Sequence, residues 1–129
     1  MNGNHLLDTN IVIALFAKDT TVINNIKKSI NIFIPVIAIG ELFYGAYNST
    51  ERSKNIEKIF QFQNDANILK CDTITGNIYG QIKKELKEKG NPIPENDIWI
   101  AAIAIQHKLT LVSRDKHFEK IARLSLIKW

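Results

Sequence analysis

The segment DIWIAAIAIQ (Asp97–Gln106) is apolar on almost every side of a helix. Such a helix cannot rest on a surface with one face in water, so it belongs inside a layered fold. The rest of the chain supplies the layers. Short β-type runs at HLL (His5–Leu7), IFI (Ile32–Ile34), NILK (Asn67–Lys70), LTLV (Leu109–Val112) and LSLI (Leu124–Ile127) alternate with helical patterns. Helices are expected at Asn10–Ala17, at Val22–Ser29, and from Pro35 to about Tyr47. Another follows through ERSKNIEKIFQF, where Ile56, Ile59 and Phe60 have helical spacing. Asp72 and Thr73 then offer caps for a stripe of Ile74, Ile78, Ile82 and Leu86, which Gly90, Pro92 and Pro94 stop. KHFEKIA reads as a last short helix. Strands that alternate with helices pair in parallel through crossovers. The pattern therefore predicts an α/β three-layer sandwich with a mainly parallel central sheet.

No repeat, low-complexity tract or linker divides the 129 residues, so one domain spanning 1–129 is expected. Cys71 is the only cysteine, which excludes an internal disulfide and suits a reducing cytoplasm. The start of the chain has no basic region ahead of its apolar run and does not read as a signal peptide. No apolar stretch reaches the roughly 18 residues of a membrane span. The net charge of +4 mildly favours a polyanionic partner, although solubility explains it about as well.

Four acids stand in apolar company. Asp8 follows the first strand directly, and Asp115 lies just past LTLVS. In open parallel sheets, ligands bind at the carboxyl ends of strands near a switch in strand order. Glu41 interrupts IPVIAIGELFYGA, and Asp97 opens the most apolar helix. Each has a plainer reading. Asp8 and Asp115 could be helix caps, Asp97 could serve a helix dipole, and Glu41 could face water. Together they suggest one acidic crevice. Four carboxylates in one crevice repel each other unless cations neutralise them. Mg²⁺ or Mn²⁺, hard ions that accept a few carboxylates and keep several waters, fit that need.

Four motifs in order, LLDTNIVIAL, IPVIAIGELFYGA, GNPIPENDIWIAAIA and LTLVSRDKHF, resemble those of PIN-domain ribonucleases. They are most similar to the VapC-type toxins of prokaryotic toxin–antitoxin pairs. The resemblance implies a metal-dependent endoribonuclease in which Asp8, Glu41, Asp97 and Asp115 form the acidic metal site. Thr9, Asn10 and Ser113 fall on supporting polar positions, with Ser113 where the family usually has Thr. It further implies an RNA substrate, a cognate VapB-type antitoxin that blocks the site, and a homodimer. A catalytically inactive PIN-like RNA-binding or scaffold module is the alternative, and retention of all four acids argues against it. An aspartyl-phosphate phosphatase would want a second Asp two residues after Asp8, where this chain has Asn10.

His5, His107 and His117 are dispersed without zinc-type spacing and read as structural or surface residues. For His117, a place beside Asp115 in the site is the minor alternative. Lys83, Lys84, Lys87 and Lys89 read as a solvated helix end rather than a phosphate contact. Phe43, Tyr44, Tyr47 and Trp99 read as core or dimer contacts.

Overall fold

The most deeply buried β-type runs become the centre of the sheet. In a computed structural model describing residues 3–129, β1 (Asn4–Leu7) and β4 (Thr110–Val112) lie side by side and β2 (Asn31–Pro35) flanks β1. β3 (Asn67–Leu69) and β5 (Leu126–Ile127) close the two edges, giving the order β3-β2-β1-β4-β5 with every pairing parallel.

Successive side chains of a strand point to opposite faces, so each central strand feeds two cores. Leu6 and Leu111 face one core with Ile82, Leu86, Ile100, Ile103 and Phe118. Their neighbours Leu7 and Val112 face the other, with Ile11, Val12, Ile34 and Ile39. The first face is covered by α5 (Thr73–Glu88) and α6 (Glu95–Gln106), which pack on one another. The second is covered by α1 (Thr9–Phe16), α2 (Thr20–Lys28), α3 (Val36–Tyr47) and α4 (Arg52–Asn64). These are the three layers the alternation predicts. The apolar α6 is the buried one, with Ile100 to Ala104 all at zero exposure.

Some boundaries differ from expectation. α6 begins at Glu95, so Asp97 sits inside its first turn instead of opening it. KHFEKIA is not an α-helix but a 3₁₀ turn, Lys116–Lys120, because Asp115 caps the His117 amide and the segment is too short to continue. The last strand starts at Leu126, since the Leu124 amide is taken by the Ile121 carbonyl in a turn. Gly90 stops α5 as expected, at φ +68 with the Asn91 amide bonded back to the Leu86 carbonyl. Among the described residues, no helix is long and apolar enough to cross a membrane.

The aromatic residues divide. Tyr44 and Tyr47 are 74% and 55% exposed, so neither belongs to the core. Their helix already buries its opposite face through Ala38, Ile39, Leu42 and Ala46. Phe43 packs against the second core, and Trp99 stacks on Tyr79 at 4.1 Å.

Candidate active site

The strand order reverses between β1 and β4: the chain steps outward one way through β2 and β3, then returns to add β4 and β5 on the other side. Loops leaving two such strands part in opposite directions and open a crevice between them. Asp8 leaves β1 at that point, and Ser113 and Asp115 leave β4.

Asp8 occupies the N-cap of α1 yet makes no side-chain capping bond. It is 5% exposed, and the Ser113 hydroxyl donates to its Oδ2 at 2.7 Å. That hydroxyl is fully used, with one proton given to Asp8 and two bonds accepted. The accepted bonds come from the Asp115 amide at 3.0 Å and Asn10 Nδ2 at 3.4 Å. Asn10 Oδ1 in turn accepts from the Arg114 amide at 3.3 Å, so one asparagine ties the exit of β4 to α1. Thr9 turns the other way and donates to Glu41 Oε1 at 2.8 Å, fixing the α3 carboxylate from α1.

Burial pushes the Asp8 carboxyl up to about 6 against the pull of Ser113 and the Thr9 amide, and the charges of Asp97 and Glu41 add to the rise. Asp97 is also raised, first by burial and then by Asp115 and Glu41, while His117 opposes the shift. Thus Asp97 senses the other helix acid and the β4 acid, and it acts on Asp8. The plain cap reading fails for Asp8 and is met in part by Asp115, whose Oδ1 accepts from the His117 amide at 2.9 Å. Glu41 borders a cleft of about 690 Å³ with Thr9, Ile37, Gly40, Tyr44 and Asn96.

His117 is the residue that its sequence position undersold. Its Nδ1 lies 3.1 Å from Asp97 Oδ2 and 3.0 Å from Asp115 Oδ1. One donor atom from each of the three lies within 4.8 Å of the others, a grouping that could hold a metal ion. The Asp-x-His spacing was visible, but the partner that gives it meaning stands 20 residues upstream on α6. In the lysine stretch, Lys83 pairs with Glu95 at 2.5 Å and Lys84 with Glu88 at 2.7 Å, both at exposed positions.

Residues 5–124 match the PIN domain. The chain belongs to the PIN-domain family. It is 34% identical to ribonuclease VapC2 of Rickettsia felis over 97% of both chains. Its fold is similar to a crystal structure of VapBC2 from Rickettsia felis bound to a DNA fragment from their promoter, with a TM-score of 0.90, 32% identity and 98% of each chain covered. VapBC-1 from nontypeable Haemophilus influenzae is similar at a TM-score of 0.90 and 27% identity, again over 98% of each chain.

Proposed function

We propose that this PIN domain, residues 1–129, is a divalent-metal-dependent endoribonuclease and the toxin of a toxin–antitoxin pair acting in the cytoplasm. One observation carries the reading: four acids from four elements share a field at the switch point, with the most buried of them, Asp8, pushed up to about 6. Burial raises that carboxyl first and the charges of Asp97 and Glu41 add to the rise, an arrangement that costs the fold stability. It fits a site completed by cations. The donors are carboxylate oxygens, which suit Mg²⁺ or Mn²⁺.

Asp8, Glu41, Asp97 and Asp115 would hold the ion or ions. A divalent ion bound there supplies charge neutralisation and an activated water for cleavage of an RNA phosphodiester. The protein's own part is positional. Ser113 fixes the Asp8 carboxylate, Thr9 fixes Glu41, and Asn10 keeps the β4 exit loop against α1. Such outer partners set the orientation of the groups that bind the ion.

The relatives named ribonuclease VapC support RNA as substrate, and the VapBC structure supports a VapB-type antitoxin as partner. A groove lined by Ile13, Phe16, Leu42 and Ala46 runs up to Glu41, so an apolar antitoxin segment could lie there with basic side chains over the acids. A homodimer completes the reading. The test is cleavage of single-stranded RNA by purified protein with Mg²⁺ or Mn²⁺, followed by EDTA. Cleavage should appear with metal and stop with chelation. Cleavage that persists in EDTA overturns the metal-dependent mechanism.

A further inference from the structure

The acids alone define an all-oxygen site, but one nitrogen converges on it. We propose that His117 supplies a nitrogen ligand to a divalent ion held between Asp97 and Asp115, and that this nitrogen biases the site toward Mn²⁺ over Mg²⁺. The inference rests on the metal-site reading above and adds to it a ligand and a preference.

The geometry comes first. Nδ1 of His117 is 3.1 Å from Asp97 Oδ2 and 3.0 Å from Asp115 Oδ1. Neighbouring ligands on an octahedral ion with bonds near 2.1 Å stand about 3 Å apart. The two gaps therefore have the length of two edges of one coordination shell. The ring is also anchored. Its own backbone amide is bonded to Asp115, and the next residue, Phe118, is at zero exposure in the core. Asp97 is 13% exposed along its side chain against 44% for His117, so the ring stands on the solvent side of Asp97.

The preference follows from donor chemistry. Mg²⁺ is a hard ion that takes oxygen ligands and parts with its waters reluctantly. Mn²⁺ accepts carboxylates too, and as a transition ion it gains more from an imidazole nitrogen. The competing reading makes His117 an internal cation that merely neutralises Asp97 and Asp115, in which case an arriving ion must displace it.

Mn²⁺ alone, added to the full chain, separates the two. Pulsed electron paramagnetic resonance of the Mn²⁺-loaded wild type should show coupling to a directly bound ¹⁴N, lost in His117→Ala. The ratio of Mg²⁺ to Mn²⁺ dissociation constants, read by competition titration, should fall about tenfold in His117→Ala. His117→Asp, which replaces the nitrogen by oxygen, should recover Mg²⁺ binding without recovering the ¹⁴N signal. Mn²⁺ bound with no nitrogen coupling in the wild type overturns this proposal alone, whether or not the variants fold. Tighter binding of both ions by His117→Ala also overturns it, in favour of the internal cation. Failure of the wild type to bind Mn²⁺ at all overturns the metal site with it.

Discussion

Asp8 and Asp72 are the same residue in the same kind of place, yet their surroundings treat them in opposite ways. Each stands between a parallel strand and the helix that follows it, at the N-cap. Asp72 lies beyond the edge strand β3, exposed, in a capping box with Thr75, and accepts from Gln106 at 3.0 and 3.2 Å. The Thr75 amide beside it, more than any other group, holds its carboxyl below the ordinary range. Asp8 lies at the switch point, buried, caps nothing, and is pushed up to about 6. Strand order, not residue type, makes the difference. At the sheet edge a single exposed acid meets amide donors, whereas at the reversal the acid is buried and also feels the charges of Asp97 and Glu41 from two helices.

The largest test of this contrast is cleavage itself. Asp8→Asn or Asp97→Asn should abolish metal-dependent RNA cleavage while the circular dichroism spectrum stays native. The loss should exceed the 10–100-fold typical of an outer-shell partner. Asp72→Asn should cleave like wild type. Undiminished cleavage by Asp97→Asn would falsify the assignment of the crevice.

Ser113→Ala comes next. It removes the 2.7 Å bond to Asp8 and leaves the Asp115 amide and Asn10 Nδ2 without their shared acceptor. A loss of about 10–100-fold in metal affinity or turnover is expected, with a smaller loss for Ser113→Thr, which keeps the hydroxyl. Equal activities for Ala and Thr would mean that the hydroxyl does not orient Asp8.

Much of this was legible in the sequence because the cores are built from contiguous apolar runs. LTLV and DIWIAAIAIQ could hardly be anything but interior, and the alternation fixed the layers. The acids were legible as charges that apolar neighbours do not explain. What escaped reading depended on contacts across the fold. Lys18 and Lys108 end α1 and α6 at φ 61 and 55, in a left-handed conformation that lysine does not advertise. The bonds from the Asp19 and Leu109 amides back to the Ala14 and Ala104 carbonyls hold those turns. His117 was ambiguous for the same reason, since its second partner, Asp97, arrives on another element.

Stability against pH sharpens the contrast without any substrate. A carboxyl raised to about 6 in the folded chain, against about 4 unfolded, binds more protons in the native state between those values. Its stabilising contribution is complete below about pH 4 and is lost as pH rises through about 6. The metal-free protein should therefore lose on the order of 2–3 kcal/mol across that window from Asp8. Asp8→Asn should flatten the loss and be neutral or stabilising near pH 7. Mn²⁺ at a hundredfold excess over its dissociation constant should return roughly 2.7 kcal/mol to the wild type and less to Asp8→Asn. Equal metal-induced shifts in the two proteins, read by thermal melts with EDTA and with Mn²⁺, would remove Asp8 from the site.

The smallest effect belongs to Asp72, and its sign is the opposite one. A carboxyl held below its ordinary value contributes stability that is present above about pH 4 and lost as pH falls through the lowered folded value. Asn at this position still offers one oxygen to the Thr75 amide, and Asn caps helices about as well as Asp. It cannot reproduce both bonds from Gln106, because its amide nitrogen would meet the Gln106 amide donor to donor. Asp72→Asn should therefore melt a degree or two below wild type near neutral pH, and the two should converge in acid as the wild-type carboxyl protonates. Exposure of the group keeps the change small, since water replaces what the partners lose. Its Mn²⁺-induced shift should equal that of wild type. A reduced shift would place the edge acid in the crevice's field and make strand order the wrong explanation for the contrast with Asp8.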